Sequence, residues 1–228
     1  MIKTQLLVIG SGPGGYTAAF RAADLGKEVI LVETHDSLGG VCLNVGCIPS
    51  KSLLHTAEVI NEAKHASELG VSFSNPKIDL AAVRKNKETI VNKLTGGIQA
   101  LAKARKVKVI KGYAKFLSKN QVSLEDTNEV IEFENCIIAA GSKVTKLSMF
   151  PFEDNRVMDS TDALLLDEIP KRLLVVGGGI IGLEMATIYD ALGSEVTIVE
   201  LGGQIIPQAD KDIVCLLYTS DAADDLLC

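Results

Sequence analysis

The sequence contains no tryptophan, and aromatic residues make up only 4% of its 228 positions. A surface that stacks nucleobases is therefore not expected. No run of Lys and Arg exceeds two residues, and 23 such residues stand against 29 Asp and Glu, a net charge of -6. The electrostatic footprint of a nucleic-acid-binding protein is missing, so no nucleic-acid partner is expected. No apolar run reaches the roughly 18 residues that a membrane span needs. The longest, over 173–183, is interrupted by glycines and stops at Glu184. Lys3 precedes a short apolar stretch that ends in glycines rather than at a cleavage site. No signal peptide is read, and a cytoplasmic location is expected. Five cysteines in a chain of this size do not make a disulfide scaffold. With 47% hydrophobic residues, disorder is not expected either. The length suits one large domain or two small ones.

Short apolar runs alternate with helical patterns. Residues 6–9 read as a buried strand, 14–25 as a helix ended by Gly26, and 28–32 as a strand running into Glu33. Residues 50–69 read as a helix with Leu53, Leu54, Ala57, Ile60 and Ala63 on one face. Asp79 can cap a second helix carrying Leu80, Val83, Ile90, Leu94, Ile98 and Leu101, with Gly96-Gly97 a place for a break or kink. From 107 to 133 the pattern turns to strands, and Asp126-Thr127-Asn128 is a hairpin signal between 121–124 and 129–133. A separate buried strand is read over 136–140, and a linker over 148–159.

The stretch from Gly10 to Glu33 recurs without a gap from Gly177 to Glu200, with ten identical positions. One G-x-G-x-x-G is a weak signal. Each copy here follows a buried strand, opens a helix and reaches an acidic residue at the spacing of a dinucleotide site. Gly10 and Gly177 permit the tight turn. Gly12 and Gly179 let a pyrophosphate approach the backbone, and Gly15 and Gly182 allow close helix–strand contact. The phosphates would then meet the N–H groups and positive end of the helix. Glu33 and Glu200 can accept from a ribose 2′-OH. A 2′-phosphate would be repelled, so the second site favours NAD over NADP. The plainer reading of either copy is a glycine-rich packing turn.

Cys42 and Cys47 lie in Gly39-Gly40-Val41-Cys42-Leu43-Asn44-Val45-Gly46-Cys47-Ile48-Pro49-Ser50-Lys51. A C-x₄-C spacing can place two sulfurs on neighbouring turns at a helix start, which makes a reversible disulfide possible. The reactive species is the thiolate, and Lys51 is one candidate cation to favour it. A pair of inert buried thiols and a zinc site from His35, Cys42, Cys47 and His55 remain alternatives. Cys136 sits in an apolar strand and reads as core, and His55 and His65 read as surface or packing residues.

Two dinucleotide motifs with GGVCLNVGCIPSK between them resemble the pyridine nucleotide-disulfide oxidoreductases, over about residues 6–214. GCIPSKSLLH followed by a long helical segment, with Glu200 where NADP-dependent members tend to carry basic residues nearby, resembles the members that oxidise dihydrolipoamide. Those of glutathione or mercuric reductase type are the alternative. The resemblance implies an α/β fold with two Rossmann-like domains. An FAD-binding domain with the cysteine pair would span 1–147, followed by a partial NAD-binding domain over 148–214. It places Gly10, Gly12, Gly14 and Gly15 at the FAD pyrophosphate, and Glu33 with Thr34 at the adenosine ribose. Gly39, Gly40, Val41 and Cys42 would line the flavin side, with Lys51 nearby. Ala114 would contact the adenosine half, and Ala140, Gly141 and Ser142 would approach FAD as the chain leaves that domain. Gly177, Gly179, Ile181, Gly182 and Glu200 would hold NAD. Ile180 would gate the nicotinamide, and Glu184 would pair with Lys51.

The implied catalytic residues are Cys42, Cys47, Lys51 and Glu184, and no metal is implied. A dihydrolipoamide thiolate would attack the Cys42–Cys47 disulfide at Cys42, the interchange thiol. Cys47, nearer the flavin, would pass electrons to FAD, which reduces NAD. The implied partners are lipoyl-bearing acyltransferase or carrier proteins of 2-oxo acid dehydrogenase complexes, with a homodimer for the full-length form.

The family's chains are longer. Their second FAD segment and their C-terminal interface domain with a His-Glu acid/base find no match here, and His35, His55 and His65 lie in no matching context. Residues 215–228 do not continue the family pattern. They read as an unrelated or out-of-frame tail on a truncated chain, or as a divergent natural helix. The 228-residue chain alone is expected to bind FAD weakly and to be inactive in lipoamide turnover, which leaves an inactive nucleotide-binding fragment as the alternative function.

Overall fold

Period-2 alternation in the N-terminal apolar run builds β1 (Ile2–Ile9), with Leu6 and Val8 on one face and Leu7 on the other. The computed structural model describes residues 1–125, 127–215 and 217. After β1 come α1 (Pro13–Asp24), β2 (Val29–Glu33), α2 (Gly40–Val45), α3 (Cys47–His65), a 3₁₀ turn (Ala66–Leu69) and α4 (Leu80–Ala104). Then follow β3 (Lys108–Lys111), β4 (Ala114–Ser118), β5 (Gln121–Leu124), β6 (Val130–Ile138) and α5 (Ser160–Leu165). The last elements are β7 (Arg172–Val176), α6 (Ile180–Ala191), β8 (Glu195–Val199) and α7 (Lys211–Cys215). They fall into two compact units, one of residues 1–49 and 85–151, the other of 50–84 and 152–228.

The first unit holds a six-stranded mixed sheet in the order β3-β2-β1-β6-β5-β4. The β3, β2, β1 and β6 neighbours are parallel, and β4 and β5 add to the sheet antiparallel. On one face Leu6, Val8, Val29 and Leu31 pack with Ala19 and Phe20 of α1 and Ala102 of α4. On the other, Leu7, Ile30 and Val32 pack with Val122, Leu124, Ile131 and Phe133. Each such aliphatic side chain contributes about 1.5–3 kcal/mol relative to exposure. The central strands β1 and β2 are therefore anchored on both faces, and the loops at their carboxyl ends are rigidly placed.

Three expectations from the sequence change here. The strands read over 129–133 and 136–140 are one strand, β6, and Ile137 and Ile138, read as buried, are exposed in it. Glu134 and Asn135 look like a break but are exposed positions of a strand that β1 accompanies from Ile131 to Ile138. The long helix α4 passes through Gly96-Gly97 uninterrupted. Its N-terminus is capped as expected, with the Ala82 N–H donating to Asp79 Oδ1 at 3.0 Å. Helix α3 starts at Cys47, three residues earlier than its apolar stripe suggests.

The second unit holds parallel β7 and β8 with α6 against them. Leu53 of α3, Ala163 and Leu164 of α5, and Met185, Ile188 and Tyr189 of α6 form its core. The Tyr189 hydroxyl donates to the Ala163 carbonyl at 2.9 Å. Burial, helped by Asp167 and Glu168, pushes this phenol up to about 12. Helix α5 had no counterpart in the sequence reading. Its signal was a capping box, Asp159 with Asp162, and both reciprocal bonds form.

Candidate functional site

The two copies of the glycine repeat fold alike. Helices α1 and α6 each have twelve residues, starting at equivalent positions of the repeat. Strand register is the same, Leu6 beside Val29 and Leu173 beside Val196. The Gly10 N–H donates to the Val32 carbonyl at 2.8 Å, and the Gly177 N–H to the Val199 carbonyl at 2.8 Å. Gly10 has φ +95°, and a Cβ there would run into the Ala139 carbonyl. A Cβ at Gly15 or Gly182 would strike the carbonyl of Gly10 or Gly177. These outer glycines are demanded by the fold itself.

The middle glycines are not. A Cβ on Gly12 would meet, among the described residues, only the Gly40 Cα at 4.0 Å, and one on Gly179 would meet nothing within 4 Å. Their φ values of -65° and -76° suit any L residue. Both are N-caps, no described side chain caps either helix, and neither first turn contains an acid. Each copy thus presents unpartnered N–H groups at a helix start over a backbone stripped of side chain. A pyrophosphate fits such a cradle.

Beyond the turn, the copies differ in their carboxylates. Glu33 is only 7% exposed. Its Oε2 accepts from the Ser11 N–H at 2.9 Å and the Ser11 hydroxyl at 2.5 Å. Its Oε1 accepts from the Thr34 hydroxyl at 3.1 Å and the His35 N–H at 3.0 Å. Burial alone would raise this carboxyl, but the bonds from Ser11, His35 and Thr34 outweigh it and hold it below its ordinary value. Glu200 is half-buried and accepts from the N–H groups of Gly202 and Gly178, each at 2.7 Å. These bonds lower its carboxyl too, the one from Gly202 foremost.

The cysteine segment starts against the first glycine turn. The Gly39 N–H donates to the Ser11 carbonyl at 2.9 Å, and a Cβ on Gly40 would lie 2.6 Å from the Gly12 Cα. Buried Leu43 folds back on Gly39. Asn44 ties α2 to its incoming loop, its Nδ2 donating to the carbonyls of Leu38 and Gly40 at 3.1 and 2.9 Å. Cys42, half-buried, and Val41, exposed, lie in α2, and Cys47, exposed, opens α3. At the corner between the helices, a Cβ on Gly46 would meet the Val41 carbonyl at 2.9 Å and the Cys42 Cα at 3.3 Å. The residue that leads into Cys47 is therefore packed directly on Cys42.

Ala140, Gly141 and Ser142 leave β6 exposed to solvent, with the Ala140 Cα 3.2 Å from a Cβ position on Gly10. Ala114 opens β4 two residues after Gly112, whose N–H donates to the Glu33 carbonyl at 2.8 Å. A cavity of about 510 Å³ lies beside Glu33, lined also by His35, Asp36, Lys103 and Lys111. Gly14 has open space around its Cβ position. In the second unit, Lys51 of α3 is ion-paired with Glu184 of α6, and Ile180 and Ile181 are exposed on the first turn of α6. Cys136 is half-buried against the core, which raises its thiol. His55 bonds to Glu58 on its own helix, and no metal-binding group of three or more His, Cys, Asp or Glu occurs among the described residues. The expectation for 215–228 falls largely outside the described residues. Ser11 and Asn44 are the residues that sequence reasoning passed over. One hid at a variable position of the motif and the other between the cysteines.

The family model of the pyridine nucleotide-disulphide oxidoreductases matches residues 4–217. The chain is 58% identical over 216 residues to a dihydrolipoyl dehydrogenase of Haemophilus influenzae, covering 93% of this chain and 45% of that protein. It is 55% identical over 225 residues to the dihydrolipoyl dehydrogenase of Vibrio parahaemolyticus, covering 98% of this chain and 47% of that one. Among solved structures, the HOCl-induced flavoprotein disulfide reductase RclA of Escherichia coli is similar with a TM-score of 0.80 and 30% identity, over 94% of this chain and 46% of that one. The chain thus spans about half the length of the relatives it matches.

Proposed function

The chain belongs to the pyridine nucleotide-disulphide oxidoreductases, and on that premise we propose that it carries the nucleotide and disulfide machinery of a dihydrolipoamide-oxidising flavoprotein. The observation that carries this reading is the seat of Gly40 on Gly12, because it starts the cysteine helix on the glycine turn itself. The first copy, Gly10 to Gly15 with Glu33, would hold FAD, and the second, Gly177 to Gly182 with Glu200, would hold NAD. Glu200 favours NAD because a 2′-phosphate would meet a carboxylate. Bound in these sites, FAD supplies a two-electron acceptor and NAD the final hydride acceptor.

The residues of the chain do the sulfur chemistry. A substrate thiolate attacks Cys42 Sγ, the Cys42–Cys47 bond breaks, and Cys47 leaves as a thiolate. The second substrate thiolate then attacks the substrate sulfur of the mixed disulfide. Cys42 leaves, the substrate departs as a disulfide, and two electrons remain on the cysteine pair. Half-buried Cys42 is held by α2, whose orientation Asn44 fixes. Lys51, paired with Glu184, supplies a fixed positive charge. The whole protein would act on lipoyl-bearing acyltransferase or carrier proteins of 2-oxo acid dehydrogenase complexes, as a cytoplasmic homodimer. Among the described residues no helix is long and apolar enough to cross a membrane.

The test is peptide mapping by mass after the air-oxidised chain meets dihydrolipoamide. The expected result is a Cys42–Cys47 linkage that opens to two thiols as the substrate closes to its disulfide, and, when the reduced Cys47→Ser variant is given lipoamide instead, a mixed disulfide on Cys42, whose thiolate opens the lipoyl S–S bond while the other lipoyl sulfur leaves as a thiol. An adduct on Cys47 in Cys42→Ser and none on Cys42 would reverse the assigned order. No linkage between the two would end the proposal.

A further inference from the structure

Position 11 of the first copy is Ser where the second copy has Gly178, and the difference reaches the carboxylates. A carboxylate has about four acceptor positions. On Glu33 all are taken, two of them by Ser11 alone, through its N–H and its hydroxyl on the same oxygen, Oε2. Ser11 is fully buried. On Glu200 the equivalent residue offers only its N–H. A side chain cannot be added there, since a Cβ on Gly178 would lie 2.7 Å from Ile205 Cγ2 and 3.3 Å from Glu200 Cβ.

The donors on the two oxygens of Glu33 are not equivalent. Those on Oε2 come from one fully buried residue. One of those on Oε1 is the hydroxyl of Thr34, an exposed residue whose side chain can rotate into solvent. An incoming sugar hydroxyl can replace Thr34 on Oε1, but it cannot displace Ser11 without opening the core.

We propose that Ser11 is the positioning residue of the first nucleotide site: it clamps one oxygen of Glu33 with two donors so that the other is presented to a ribose, whereas the second site, with glycine at 178, holds its carboxylate by a single backbone N–H on each oxygen. This rests on the reading of the first copy as the FAD site. A carboxylate held before the ligand arrives loses less freedom on binding, which favours a tightly kept ligand in the first copy and an exchangeable one in the second.

The test compares the 228-residue chain with its Ser11→Ala variant, with far-UV circular dichroism to confirm that both are folded. Carbon-13 NMR follows the Glu33 carboxyl without ligand, and quenching of flavin fluorescence gives FAD affinity across pH. The other charged and titratable groups around the same cavity, His35, Asp36, Lys103 and Lys111, are unchanged in the variant. The expected result is a Glu33 midpoint that rises toward its ordinary value, together with FAD affinity lowered about tenfold or more, the effect of one hydrogen bond to a charged group. NADH affinity stays unchanged. A Glu33 midpoint that does not move overturns the clamp, and one that moves while FAD affinity holds overturns the positioning role. If Ser11→Ala is unfolded, Ser11→Gly, which puts the residue of the second copy at this position, gives the same reading: a raised Glu33 midpoint with FAD affinity lowered about tenfold supports the clamp, and an unchanged affinity overturns it. A wild-type chain that takes up no FAD at any pH overturns the nucleotide reading, and the positioning role with it. That result differs visibly from one in which both chains bind FAD equally well.

Discussion

Burial by itself would push the Glu33 carboxyl above 4.5, yet its hydrogen bonds carry it below that value. A carboxyl with a lowered folded-state pKa binds fewer protons folded than unfolded, so stability rises with pH across that interval. The contribution of Glu33 is complete above its unfolded value. It drains as pH falls through the folded value and is gone below both. Glu33→Gln keeps an acceptor but loses the charge and places an amide among donors. At pH 7 the variant is expected to be less stable by about 1–3 kcal/mol. The gap should narrow as pH is lowered from neutral through the unfolded value and on through the lower folded one. Urea unfolding of both chains at each pH measures it, and a gap of constant size would show that charge on Glu33 contributes nothing. Glu33 as an acid at a motif position was legible in the sequence. Its four donors were not, because all four are backbone N–H or hydroxyl groups at positions the motif leaves open.

Helix ends show the same limit among the elements. Asp79 announced the start of α4, but its end carries no glycine. Lys106 takes φ +57° there, with the Lys106 N–H on the Lys103 carbonyl at 3.1 Å and the Val107 N–H on the Ala102 carbonyl at 3.0 Å. These are the two bonds of a Schellman closure, with lysine in the position that glycine ordinarily fills. Exposed Lys106 has no place in the core, so Lys106→Gly removes left-handed strain at little other loss. An increase of about 1 kcal/mol in unfolding free energy is expected, read as a higher melting temperature. A lower one would mean that the lysine side chain outweighs the strain. The Gly96-Gly97 pair failed as a breaker for a related reason. In the first unit, the part of helix α4 that carries these glycines is anchored by Ile98 and Ala102 in the core. Glycine weakens a helix by about 1 kcal/mol per residue, which such anchors offset. Local propensity was visible in the sequence, but the anchors were visible only once the chain had folded.

For the whole molecule, the repeat sorts the glycines into those the fold needs and those it does not. Ten identities in a gapless repeat made the shared architecture legible, and the matched register of the strands bears that out. The sequence could not separate the two classes of glycine, because all six look alike in it. Gly10, Gly15 and Gly182 are closed in by backbone atoms, whereas Gly12 and Gly179 stand in space that an alanine could occupy. Gly12→Ala and Gly179→Ala should therefore leave stability within about 1 kcal/mol of the parent chain, the range of a change at a helix N-cap. The added methyl instead takes the place where a pyrophosphate would approach. Gly12→Ala is expected to lose FAD binding and keep NADH, and Gly179→Ala to do the reverse. Thermal melting and the two fluorescence titrations read all of this on the same pair of variants. If each variant melts normally and still binds both nucleotides, the open space at the middle glycines serves no ligand. If one variant loses both, the two copies do not form separate sites.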